Sequence, residues 1–127
     1  MEAMIVVVCV GLIAVFVVPS YTKTIMKMKV RNAMTNLKLI HIASEEYKRQ
    51  NDSYWVASAA LADINQNLGI SIIKDDADTI YYYLCVDPVS YSAAVRIHPG
   101  QNDETYISMT NDPVSATNPV CEYGVCS

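Results

Sequence analysis

Charge is what the N-terminal end of the chain lacks. After Glu2 no Asp, Glu, Lys, Arg or His appears before Lys23, which excludes the amphipathic helix of an ordinary soluble domain, because such a helix keeps a polar face for water. A CxxC pair is also missing, and the two histidines, His41 and His98, lie far apart in sequence, so a zinc site has no starting motif. Neither histidine has a nucleophile or carboxylate placed beside it by sequence, and no catalytic constellation can be built from them. No enzyme and no cofactor are expected. A basic surplus is absent as well: the net charge of -4 argues against a nucleic-acid surface, which wants a basic stripe.

What fills the uncharged stretch is aliphatic. Ala3 to Val18 is apolar on every helical face and is closed by Pro19. Those sixteen residues make about 24 Å of helix, short of a bilayer core of roughly 30 Å, but the uncharged length through Thr22 is adequate for a span. Burying such side chains is worth roughly 1.5 to 3 kcal/mol each, so the segment has tens of kcal/mol of drive out of water. Glu2 opposes that drive, since an ionised carboxylate in hydrocarbon costs several kcal/mol unless it is paired. A cleavable signal peptide is disfavoured, because its head would be acidic and Val18-Pro19-Ser20 is no small-residue cleavage site. The basic residues Lys23, Lys27, Lys29 and Arg31, taken alone, would put the remainder in the cytoplasm. Of the four cysteines, Cys9 falls in the apolar run, whereas Cys85, Cys121 and Cys126 lie downstream and allow one disulfide with one thiol over. A disulfide there points the other way, out of the cytosol, and that reading is preferred.

Beyond Pro19 the pattern becomes a helical stripe. Met26, Val30, Ala33, Leu37, Ile40, Ser44 and Tyr47 recur at steps of four and three, with Glu45 and Arg49 spaced for an ion pair. A second apolar set, Ile25, Met28, Leu39, Ile42 and Ala43, makes the helix stickier than one small head requires. From Glu2 to about Gln50 it would run roughly 73 Å, far beyond a head of some 75 residues, so part of it needs cover elsewhere. Pro19 and Gly11 mark its weakest turns, where a kink is expected in lipid. Asn51-Asp52-Ser53 ends the helix with turn formers; it also fits a glycosylation acceptor, but the turn explains it without sugar.

The rest of the chain reads as a small α+β head. Ala57 to Leu68 is expected to be a short helix, with Ser58 as N-cap and Gly69 as its stop. Thr79 to Val86, Ser92 to Ile97 and Thr105 to Met109 are expected as three strands of an antiparallel meander, followed by an extended tail. Asp75, Asp76 and Asp78 are weak candidates for calcium; their run lacks the glycine and final glutamate of a calcium loop, and a solvated acidic turn is favoured. Four segments follow: residues 1–22, an apolar membrane or core segment; 23–51, an amphipathic stem; 52–78, a connecting loop with a short helix; and 79–127, the sheet and cysteine-bearing tail.

Glu2, the aliphatic run with Gly11, Pro19 and Tyr21, then Glu45-Glu46-Tyr47 and Gln50-Asn51-Asp52-Ser53-Tyr54, closely resemble the N-terminal helix of type IV pilins and type II secretion pseudopilins. The likeness covers about the first 55 residues; the remainder matches in plan only. It implies a long helix, its first half transmembrane, carrying a small sheet, and a subunit that leaves the inner membrane to polymerise into an extracellular filament. Implied partners are copies of itself, the inner membrane, a prepilin peptidase and an ATP-driven assembly machinery. Glu2 would neutralise the N-terminal amine of a neighbour, and Met4, Ile5, Val8, Gly11, Leu12, Val15, Phe16 and Pro19 would line the packing of helices. In the family, the mature chain starts four residues before the glutamate, so about three mature residues and a leader are expected ahead of Met1. Tyr83-Leu84-Cys85 and Cys121 look like small pilins that tie sheet to tail, which implies Cys85–Cys121; Cys85–Cys126 and Cys121–Cys126 stay open. A major pilin is the reading preferred, with a major pseudopilin and a monomeric membrane-tethered binding module as rivals.

Overall fold

A computed structural model describes residues 1–55, 60–73, 77–111, 119–124 and 126, and within these the side chains of 18–20 and of Val86 fall outside the description. The architecture is α+β. A single helix, α1, runs from Glu2 to Asn51, about 75 Å at 1.5 Å per residue. Pro19 removes one backbone hydrogen bond from it without ending the element. The stop comes at Asp52, whose left-handed φ of 59° caps the last turn, while Asn51 Nδ2 donates back to the Tyr47 carbonyl at 3.0 Å. Glu2 in the first turn and Lys48 and Arg49 in the last match the polarity of the helix dipole.

The connecting segment holds one short helix, α2, Leu61–Leu68, stopped by Gly69 at φ 65°. Expected to begin at Ala57, it begins four residues later; Ser58 lies outside the described residues, and Ala60 takes the N-cap position without a side-chain cap. Asn65 then stitches the loop that follows: its amide donates to the Ile72 carbonyl at 2.9 Å and accepts from the Ile72 N–H at 3.0 Å.

The sheet is an antiparallel meander of β1 (Thr79–Asp87), β2 (Ser90–Ile97), β3 (Thr105–Thr110) and β4 (Val120–Tyr123), in that spatial order. The three expected strands are present, and the tail, expected only as an extended segment, adds the fourth. Register places Tyr81 opposite Val95, Val95 opposite Ile107, and Ile107 opposite Cys121. Period-two alternation then sends Tyr81, Tyr83, Tyr91, Ala93, Val95, Ile97, Ile107 and Met109 to one face, all buried. Gly124 ends β4 at φ 98°, where a Cβ would lie 2.5 Å from the Glu104 carbonyl oxygen; only glycine permits that approach.

That face receives α1. Met26, Val30, Ala33, Leu37 and Ile40 form one core with the inward side chains of the sheet, Ile64 of α2, Ile72 and Tyr54. The stripe read from spacing is therefore the face that packs on the head, with Ser44 also fully buried and Tyr47 half-exposed at its end. Ser44 meets the cost of burial by donating to the Ile40 carbonyl at 2.7 Å.

Candidate assembly surface

The core stops at Met26. Below it α1 projects from the head: among the expected assembly residues exposure runs from 59% at Leu12 to 75% at Phe16, with Met4, Ile5, Val8 and Val15 between. Glu2 is exposed at the tip. Nothing lies within 4 Å of a Cβ built on Gly11. The segment is long and apolar enough to cross a membrane, and none of it is buried inside the protein. That separates it from the core helix of a soluble protein, which passes the same length test while covered. Exposed apolar patches of this extent mark an interaction surface. Each expected assembly residue whose side chain is described, Glu2 through Phe16, lies on this bare rod.

The bare surface continues up the back of the stem. At 100° per residue, Met28, Leu39 and Ile42 fall opposite the stripe that faces the sheet, and all three are exposed, as is Tyr21. Ile25 and Ala43, the remainder of the second apolar set, are half-buried at the flank. So the head covers one side of the stem and leaves an apolar strip on the other.

Polar contacts fix the head on the stem. Asn36 Nδ2 donates to the Tyr81 hydroxyl at 2.8 Å, and His41 Nδ1 bonds to the Tyr91 hydroxyl. The Tyr54 hydroxyl donates to Glu45, while Lys48 sits 4.7 Å over the Tyr54 ring. The expected Glu45–Arg49 pair does not form: Glu45 is engaged by Tyr54, and Arg49 bonds instead to Glu46 one turn back. At the lower end of the head Lys29 Nζ lies 3.2 Å from His98 Nε2, and His98 Nδ1 lies 2.8 Å from Asp103. The His98 bond holds the Asp103 carboxyl below its ordinary range. Tyr83 and Tyr91 stack at 5.3 Å, with Tyr54 edge-on to Tyr91. Burial pushes the Tyr83 phenol up to about 12, and burial raises Tyr54 and Tyr91 as well, with Glu45 adding to the effect at Tyr54. Among the described residues no group meets hydrogen-bond geometry at the Tyr83 hydroxyl; the nearby Ser44 hydroxyl lowers its pKa but only partly offsets desolvation.

The expected disulfide is corrected. Cys121 bonds to Cys126 with Cα atoms 5.6 Å apart, and Cys85 is free. Cys85 lies on β1 and Cys121 on β4, at opposite edges of the sheet, about 14 Å apart across three strand spacings, whereas a disulfide reaches only about 7 Å between Cα atoms. The likeness to small pilins implied a tie between Cys85 and the tail; the chain carries β4 to the far side of β3. Cys85 instead donates to the Asp87 carbonyl at 3.1 Å in the bulge that ends β1. Cys9 is exposed on the rod.

Of the weak calcium candidates, Asp75 and Asp76 lie outside the described residues and Asp78 lies in the turn before β1; among the described residues no cluster of three metal-ligating side chains occurs. An open hollow of about 770 Å³ lies along the upper stem between His41 and Asp52. A cluster that spacing alone did not single out occupies the outer face of the sheet, where Arg96 lies over Tyr106, Tyr106 stacks on Tyr123, and the Tyr123 hydroxyl donates to Glu104 at 2.9 Å. The alternation of Thr105, Ile107 and Met109 along β3 was the available signal, since it sends Tyr106 to the other face.

No family model, curated protein or solved structure matches the chain. The architecture itself, a long N-terminal helix with a small antiparallel sheet against its upper half, is pilin-like.

Proposed function

We propose that this chain is a structural subunit of a pilin-like filament, seated in a membrane by residues 1–22 before assembly and held in the fibre by side-by-side packing of α1. The reading is carried by one observation: the stretch of α1 from Ala3 to Val17 is apolar on all sides and exposed. Lipid and identical rods are nearly equivalent cover for it, so exchange between membrane and fibre loses little apolar burial. Glu2 then supplies register, because a buried carboxylate needs a cation at close range and a neighbouring N-terminal amine provides it. The uncovered strip of Tyr21, Met28, Leu39 and Ile42 favours polymer over tether, since a lone anchor has no use for an apolar back above the bilayer. The disulfide of the tail joins cysteines only five positions apart and does not distinguish a pilus from a secretion pseudopilus, which share the same plan of stem. No reaction is proposed; the work is assembly, with the filament expected outside the cell.

The test uses the full chain in its source cells. Glu2→Gln should leave the protein folded in the membrane fraction and lower sheared surface filaments at least tenfold, on the order of the few kcal/mol attached to a buried paired charge. Unchanged filament yield in electron micrographs would remove Glu2 from the mechanism.

A further inference from the structure

The charge of this molecule is segregated. Between residues 3 and 44 lie five of its nine lysines and arginines and none of its thirteen carboxylates. The stretch is therefore +5 and the rest of the chain -9, which together give the net -4. Lys23, Lys27 and Arg31 follow one another at steps of four, which advance only about 40° each around the helix, so they share a flank, and all three are exposed. Their height is set by the rod: Thr22 lies about 30 Å along the axis from Glu2, the thickness of a bilayer's hydrocarbon core. Lys23 and Lys27 are thus in the headgroup layer, and the long arm of Arg31 reaches back to it.

The head bottoms out at the same level. The β2–β3 turn comes down onto the stem through His98 and Lys29, and a hollow of about 230 Å³ opens there between Thr22, Ile25, Met26, Lys29, His98 and Asp103. The two carboxylates of that turn, which would repel an anion, are engaged: Asp103 by His98, and Glu104 by the Gly100 N–H, the Tyr123 hydroxyl and Arg96.

We propose that this collar, with Lys23, Lys27 and Arg31 as its contacts, binds anionic phospholipid headgroups and fixes the depth at which the subunit waits in the membrane. The inference rests on the membrane-seated reading above. The cations hold phosphates through charge-assisted hydrogen bonds, and withdrawal into a filament gives those bonds up.

The experiment places the full chain in mixed phosphatidylcholine and phosphatidylglycerol vesicles, extracts it in mild detergent, and measures by mass spectrometry the lipids that stay bound. Wild type should retain phosphatidylglycerol several-fold above its share of the bulk, and the triple variant Lys23→Gln, Lys27→Gln, Arg31→Gln should fall to the bulk ratio, in line with about fivefold per cation near an anionic surface. Millimolar inorganic phosphate should not displace the lipid; displacement would assign the collar to free phosphate and overturn the proposal. Retention at the bulk ratio by wild type, or enrichment unchanged in the triple variant, overturns it too. Salt-sensitive cross-linking between copies in pure phosphatidylcholine, lost in the triple variant, with no phosphatidylglycerol enrichment, would give the collar to a neighbour's acidic head. Flotation with phosphatidylcholine vesicles separates the two levels: a chain that does not float defeats the membrane seat, and one that floats without enrichment defeats the collar alone. An unchanged near-ultraviolet tyrosine signal checks that the variant head is folded.

Discussion

Tyr83 shows how the head depends on uncharged phenols. Its ring stacks on Tyr91 in the core, its hydroxyl is buried, and its pKa is pushed to about 12 from an ordinary 10.0. Tyr54 and Tyr91 are raised further by the same loss of solvent. Below pH 10 all three are protonated in the folded and unfolded chain alike, and their contribution to stability is complete. Between 10 and 12 the unfolded chain sheds protons that the folded head retains, so stability falls as pH rises through that window. Alkaline titration followed by near-ultraviolet circular dichroism should show the head intact to about pH 10 and unfolding steeply above it. Phenolate absorbance that titrates fully near 10 in the folded head would contradict the burial of these rings. At the same scale lies the free thiol. Alkylation of the unreduced, denatured chain should label Cys9 and Cys85 and leave a peptide joining Cys121 to Cys126; a peptide joining Cys85 to either tail cysteine would overturn the strand order. The pairing was not legible in the sequence, because three cysteines and a family likeness do not say on which edge of the sheet a tail will lie.

Elements were more legible than their partners. The stem stripe could be read because a period of 3.6 leaves few ways to choose a face, and Met26 through Ile40 are buried as that period requires. Strands bounded by Asp87-Pro88 and His98-Pro99-Gly100 were equally plain. What spacing could not reveal was β4, whose four residues, Val120–Tyr123, form a strand only because the edge of β3 is there to pair with them. Nor could it foresee that Tyr54 would take Glu45 from Arg49, a contact made across the end of the helix. The two faces of α1 give a paired prediction. Ile40 is fully buried and Ile42, two residues on, is 65% exposed. Ile40→Ala should cost the head about 2 to 5 kcal/mol in denaturant unfolding of the detergent-solubilised chain. Ile42→Ala should cost under about 0.5 kcal/mol in that assay and yet reduce filament yield. An Ile42 variant that assembles normally would free the back of the stem from the packing assigned to it.

The whole molecule is a lever of two unlike halves, one covered by its own head and one left exposed among the described residues. Burial of the upper half against the sheet makes a rigid handle, and the rod below carries apolar area that water cannot be left to cover. A bilayer and a bundle of identical rods are nearly equivalent as cover for such a surface. The cationic stretch, Lys23 to Lys38, begins at the boundary between the halves. The most direct measurement is an electron cryomicroscopy reconstruction of surface filaments from the source cells, with the axial density traced. The account predicts an axis built of α1 helices, Glu2 within hydrogen-bonding reach of a neighbour's N-terminal amine, and the sheets on the outside. Filaments whose axis is built from other chains, or of sheets with α1 turned outward, would contradict it.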